Sequence, residues 1–398
     1  MRTVGTVVRG IRTPIIKDGD DLKTIVVNSL LRASEAENFA FRDRDVVAIT
    51  EAVVGIAEGN YATIDQIAAD VKQKFESEHI GIVFPTPLSR NRFSLILKGI
   101  ARGCKKITML ISYPADEVGN HLFDEDEMEK YNIDPYNDVF EEEDYNRMFG
   151  HLVHPFTGIN YVEFFKDLVQ KEECEIEFVF ANRASTILNY TKNVIVANIH
   201  NRERTKKELL KNGALKVIGT DDILRVSVNG SGFNSKYGLL GSNKATEEKV
   251  KLFPEHGQEL VEAIQKELKE KTGKTIEVMV YGDGAFKDPV GMIWELADPV
   301  VSPAYTSGLE GTPNEIKLKY ISDNKLKDLR GEELIAAMKK EIREKDANLK
   351  GKMETQGTTP RRITDLIGSL CDLTSGSGDK GTPVVYIQGY FDNYATEE

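Results

Sequence analysis

Between residues 79 and 211, short apolar runs alternate with stretches of helical spacing. That alternation constrains the fold more than any other feature of the chain. Residues 79–84, 106–112, 175–180 and 193–199 read as strands, and 93–101, 161–169 and 202–211 as helices. Strands this short and apolar belong to a sheet covered by helices, so a small α/β domain is expected over residues 66–210.

The flanking segments read differently. Asp20 and Asp21 stand where a helix N-cap is expected, before the helically spaced run 22–33. The β-rich run from Asp45 ends in Gly55 to Gly59 and reads as a buried strand turning into a loop. Later, 224–228 and 276–281 read as strands, 262–271, 332–345 and 363–373 as helices, and 382–387 as a closing strand.

Composition excludes several classes. No stretch of the 398 residues approaches the ~20 consecutive apolar residues of a membrane span, and the N-terminus lacks a signal-peptide layout, so a cytoplasmic protein is expected. Of the net charge of −12, most lies between Asp124 and Asp144, where eleven acidic residues face one lysine. This run is either a solvated lobe or lid, or a surface for a metal or partner. The rest of the chain shows no basic stripe, so no nucleic-acid partner is expected. The three cysteines, Cys104, Cys174 and Cys371, are far apart and odd in number, which argues against a disulfide framework or a CxxC zinc site.

Four polar sites carry possible chemistry. The loop Ser375-Gly376-Ser377-Gly378-Asp379-Lys380-Gly381 lets backbone N–H groups approach an anion, with Lys380 adding charge. It follows a helix and precedes a strand, the reverse of a dinucleotide fingerprint, so it is either a phosphate loop or a plain turn. Gly282-Asp283-Gly284 ends an apolar strand, where a carboxylate suits a hard divalent cation, with Asp288 close by; a simple Asp-Gly turn is the other reading. Asn234 and Lys236 sit in a second glycine loop, able to hold metal or phosphate or to form a hairpin. Arg90 and Arg92 precede a helix, as anion ligands or as solvated arginines.

Three blocks of the chain resemble the coenzyme F420 γ-glutamyl ligase family. They are Thr13-Pro14-Ile15-Ile16 through Asp21, the run from Asp45 to Gly59, and Asp365 through the glycine loop to Gly389. The resemblance covers residues 1–65 and 211–398 and leaves 66–210 as an insertion. It implies an α+β ligase core carrying an inserted α/β domain, with GTP or ATP as co-substrate, Mg²⁺ or Mn²⁺ as cofactor, and a homodimer. On this reading Asp283 is catalytic and holds metal with Asn234. Thr13, Pro14, Ile15, Ile16, Lys236 and Ser375 to Lys380 bind nucleotide, and Arg90 or Arg92 binds a substrate carboxylate. The sequence departs from the family where lysines are replaced by Glu51 and Ile56.

The implied reaction adds L-glutamate to a carboxylate of a small acceptor. The nucleotide γ-phosphoryl would pass to that carboxylate, and the glutamate amine would displace phosphate. The acceptor is a deazaflavin by default, with a folate or another metabolite as the alternative. A non-catalytic nucleotide or metabolite sensor on the same fold, and a scaffold that meets a basic partner through the acidic run, stand as competitors.

Overall fold

The computed structural model describes residues 3–396 apart from 86–91, 124, 155–156, 284–285, 289–292, 296–297, 359–360 and 375–377; for 286–288 and 293–295 it describes the backbone. The chain opens with β1 (Val7–Ile11), α1 (Leu22–Glu37), β2 (Val46–Thr50), α2 (Glu51–Ala57), β3 (Tyr61–Thr63) and α3 (Ile64–Lys74). Next come β4 (His79–Val83), α4 (Phe93–Gly103), β5 (Lys106–Ile111), α5 (Glu125–Lys130), β6 (Phe140–Glu141), α6 (Glu142–Phe149) and α7 (Tyr161–Gln170). They are followed by β7 (Glu175–Phe180), β8 (Asn193–Val196), α8 (Arg202–Lys211) and β9 (Lys216–Gly219). The remainder supplies β10 (Asn243–Thr246), β11 (Lys249–Lys251), α9 (Gly257–Thr272), β12 (Glu277–Tyr281), β13 (Phe286–Asp288), β14 (Ile293–Glu295) and β15 (Ala304–Tyr305). It closes with α10 (Leu318–Asn324), α11 (Gly331–Arg343), α12 (Ile363–Thr374) and β16 (Val384–Gln388).

These elements form an α+β fold around two large sheets. One has the order β1-β16-β2-β12-β15, with β2 and β12 parallel and the other neighbours antiparallel. Its central strands β2, β12 and β16 are buried throughout, because helices cover both faces. Val47, Ile49, Val278 and Val280 meet Val26 and Leu30 of α1 and Ile264 of α9. Val46, Ala48 and Met279 turn the other way, onto Ile367 and Cys371 of α12. The period of two along each strand thus feeds two separate helix layers. Among the described residues, no helix is long and apolar enough to cross a membrane.

The second large sheet has the order β6-β7-β5-β4-β8-β9, all parallel except the edge strand β6. It takes in β9, beyond the expected limit at 210, and α3 packs against its α4. The acidic run forms α5, β6 and α6. Met128, Phe140, Tyr145 and Phe149 are buried beneath it, with Phe149 stacked 4.1 Å from Phe123. Its carboxylates therefore form the wet side of an anchored layer.

Local readings held where the signal was local. Asp21 caps α1, accepting the Thr24 N–H at 3.1 Å. Two strand readings fail. The run from Asp45 ends as a strand at Thr50; beyond it Val53 and Val54 pack on a helical spacing into the α1 layer, and that burial outweighs their β preference. Residues 224–228 form no strand: Leu224 has φ +57°, and the buried carboxylate of Asp70 takes its N–H at 2.8 Å. The Cys104 and Cys174 sulfurs, distant in sequence, lie 3.8 Å apart as thiols.

Helices α3 and α4 approach closely at Gly99, where an added Cβ would sit 2.5 Å from Ile67 Cγ2. Gly99→Ala is expected to lower stability by about 1–3 kcal/mol through overpacking, more than alanine's helix preference returns. Urea unfolding measures this, and an unchanged midpoint would contradict so close a contact.

Candidate functional site

Strand directions gather the candidate loops. Since β1 and β2 both run antiparallel to β16, the carboxyl ends of β1, β2 and β12 share one sheet edge with the start of β16. The Thr13 N–H donates to the Gly381 carbonyl at 3.4 Å, and the Thr50 N–H to the Pro383 carbonyl at 2.9 Å. The turn at Thr13 and the loop before β16 are therefore neighbours. Pro14, Ile15, Gly378, Asp379 and Lys380 are exposed there, while Ile16 packs onto the α1 layer. Lys380 Nζ donates to the Thr374 carbonyl at 3.3 Å. Ser375, Gly376, Ser377 and Arg90 lie outside the described residues.

A cleft of about 740 Å³ runs along β1 and ends at Thr13 and Pro14. Its size suits a small organic ligand. Arg9, Arg12 and Arg32 line it, with Phe39 beneath; the Arg9 guanidinium stacks 4.5 Å over that ring. Glu37 also lines the cleft, and three guanidinium groups against one carboxylate, over an apolar floor, favour an anion attached to a planar group.

At the end of β12 stands an acidic centre. The Asp283 carboxylate receives Arg92 Nη2 at 2.6 Å, and its backbone N–H donates to Asp298 Oδ2 at 2.7 Å. Arg92 Nη1 pairs with Asp298 Oδ1. Gly282 permits this approach, for any Cβ there would collide with the Asp298 carboxylate. Across the strand, Glu51 opens α2 with its carboxylate 3.3 Å from Lys251 Nζ, both buried. Burial pushes the Glu51 carboxyl above its ordinary range; Lys251 opposes the shift and Asp298 adds to it. For Arg92, burial works against the charge, but Asp298, Asp283 and Glu51 outweigh it and hold the guanidinium above its usual value. Three carboxylates thus share two cations. Among the described residues, no group of three or more His, Cys, Asp or Glu side chains is placed to hold a metal ion.

Asn234 does not join this centre. Its side-chain oxygen accepts the N–H groups of Lys236 and Tyr237 at 3.1 and 2.7 Å, and its amide donates to the carbonyls of Phe253 and Pro254. Both ends of the side chain hold the loop together. Lys236 lies 4.9 Å from the Tyr237 ring. The adjacent Ser235 bonds Glu255, whose N–H donates to Glu58 just past the end of α2. Glu51 is at the opposite end of that seven-residue helix, about 10 Å away. Asp298, Glu51 and Lys251, which sequence reasoning did not select, are the groups assembled with Asp283 and Arg92. The one signal for them was the departure at Glu51.

Lys251→Met leaves the Glu51 carboxylate buried without its ammonium. A loss of about 3–5 kcal/mol is expected at neutral pH. The deficit should shrink as pH falls, because protonation of Glu51 removes the uncompensated charge, and the double variant Glu51→Gln/Lys251→Met should recover much of the loss. Chemical denaturation between pH 5 and 8 measures both effects; a deficit independent of pH would separate Lys251 from Glu51.

No curated protein matches this chain. The family model described as F420-0:Gamma-glutamyl ligase matches residues 10–389, from the β1 strand to the end of β16. That span includes the acidic centre, the six-stranded sheet and, apart from Arg9, the arginine-lined cleft. The chain belongs to the F420-0:γ-glutamyl ligase family.

Proposed function

We propose that the protein is a nucleotide- and divalent-metal-dependent ligase that joins L-glutamate to a carboxylate of a small acceptor. The observation that carries the reading is the shared sheet edge: the Thr13 turn, the loop before β16, Thr50–Glu51 and Asp283 all emerge there. Family membership supplies the γ-glutamyl ligase activity. On this reading the cleft along β1 takes the nucleotide, with Arg12 and Arg32 against its phosphates and Thr13 and Pro14 at its rim.

Amide formation from two acids needs an activated acyl group. Transfer of the γ-phosphoryl to the acceptor carboxylate breaks the bond to the β-phosphate, releases the nucleoside diphosphate and gives an acyl phosphate; attack by the glutamate amine then forms the amide, with loss of the amine proton and release of phosphate. Charge collects on phosphoryl oxygens in both steps, so positioned cations and N–H donors do most of the work. Arg92 supplies a fixed guanidinium at the acidic centre. The carboxylate oxygens of Asp283 and Asp298 are the donors that fit Mg²⁺ or Mn²⁺, which when bound would neutralise phosphate charge. The raised pKa of Glu51 also makes it a candidate to take the proton of the attacking amine. The resemblance adds a homodimer to the proposal, which sedimentation tests.

The test is phosphate release from GTP and from ATP with Mg²⁺ or Mn²⁺ and L-glutamate, across deazaflavin and folate acceptors. Release that depends on acceptor, with a product heavier by one glutamyl residue, is expected. Asp283→Asn should reduce the rate at least about a hundredfold in protein that circular dichroism shows to be folded. Nucleotide binding with no phosphate release under any pairing would favour the sensor, a reading the neutralisation of Asp283 by Arg92 would then explain.

A further inference from the structure

The six-stranded sheet has a switch point in its strand order. Numbered along the chain, its five parallel strands β4, β5, β7, β8 and β9 lie in the order 3-2-1-4-5. The chain leaves β4 toward β5 and returns to the opposite side of β4 as β8. At such a switch point the connections part in opposite directions and leave a crevice outside the carboxyl ends of the two strands, where doubly wound sheets bind ligands.

The crevice is filled by a side chain from elsewhere in the unit. After β8, the backbone N–H groups of Ile199, His200 and Asn201 all donate to the carboxylate of Glu117, those of His200 and Asn201 at 3.0 and 2.8 Å. These residues lead directly into α8, ten residues long, whose positive end adds to the attraction for an anion. Ile199 also borders a small cavity of about 30 Å³, together with Arg92, Thr220 and Ser242. Thr220 and Ser242 are each 1 % exposed, and their hydroxyl oxygens have no hydrogen-bond partner among the described residues. Two unpartnered buried hydroxyls are costly unless something else satisfies them.

We infer that this crevice is a binding site for a small carboxylate ligand, and that Glu117 occupies the carboxylate position in this structure. The three N–H groups take the ligand's carboxylate once Glu117 swings out. The Thr220 and Ser242 hydroxyls take its second polar group, and Arg92 forms the wall toward the acidic centre. Glu117 is itself a γ-carboxylate, so L-glutamate is the ligand whose chemistry the nest already displays. Identifying the ligand with the amine substrate rests on the ligase reading; the existence of the site does not.

The experiment is calorimetric titration of L-glutamate, and separately of inorganic phosphate, into the full chain without nucleotide. Glu117→Ala should bind L-glutamate at least tenfold more tightly than the unaltered protein. Adding Thr220→Val and Ser242→Ala should abolish the gain, and phosphate should gain less than glutamate. Glu117→Gln keeps an acceptor for the N–H groups and guards against a folding defect; it should also gain affinity. The inference is overturned if folded Glu117→Gln and Glu117→Ala bind no better than the unaltered protein. It is equally overturned if the gain survives loss of both hydroxyls, the result expected where these merely hold a water, or if phosphate gains as much as glutamate. An inactive ligase that still shows the glutamate gain would sink the proposed function and leave the site standing.

Discussion

The guanidinium of Arg92 joins the two large sheets at one point. It leaves the start of α4 in the six-stranded unit and ends between Asp283 and Asp298 at the carboxyl end of β12. Stability alone does not account for such a group, since buried ion pairs often do no better than apolar residues of the same volume. What the arrangement does supply is a fixed charge in a partly dry place, held by geometry on two sides. Perturbed ionisable groups gathered at a sheet edge mark a site where charge is to be handled. Asp283 and Asp298 both rest on Arg92, Glu51 rests on Lys251, and burial biases Glu51 toward its neutral form, so the charges of the centre are largely matched within it.

Glu51 and Lys251 show how a charge can be preserved in space while it moves in sequence. The resemblance expects a lysine where Glu51 stands. The structure returns an ammonium to that place from β11, 200 residues away. Read along the chain, the exchange looks like the loss of a functional group. Read in the fold, the position has an acid and a base in contact, with the acid biased toward its neutral form. An acid so biased holds its proton more readily than an exposed carboxylate does, whereas a lone lysine only binds.

What the sequence disclosed follows the range of each interaction. Strand and helix periods and the Asp21 cap depend on residues a few positions apart, and those readings largely stand. Asp283 was selected because an apolar strand ends beside it. Its partners were not, because Arg92 lies 191 residues from Asp283 and 206 from Asp298. Asp298, in Ala297-Asp298-Pro299, carries no local pattern that separates it from a turn residue. Asn234 failed for the converse reason: its loop looks like a ligand loop, and a buried asparagine satisfied by four backbone groups gives the same sequence signal as one left open. Leu224 and Asp70 add a third case, in which one buried carboxylate bends a run of strand-forming residues out of any sheet.

Net charge is a poor guide to what this surface attracts. A chain of −12 repels anions only weakly beyond about 8 Å at physiological ionic strength, and much of its acidity lies on the 124–144 layer. Within that distance the local groups decide. Along β1 they are Arg9, Arg12 and Arg32 with the single carboxylate of Glu37; at the end of β12 they are Asp283 and Asp298 with Arg92 between them. The sheet order puts β16 and β2 between these two regions, so one edge carries a group of arginines and a group of carboxylates about three strand spacings, or roughly 14 Å, apart. A polyanion that reached from the first to the second would meet arginines at one end and, at the other, two carboxylates that repel it with the Arg92 guanidinium held between them. Strand order and charge placement alone thus set the opposing charges that such a ligand would meet, without any movement of the backbone.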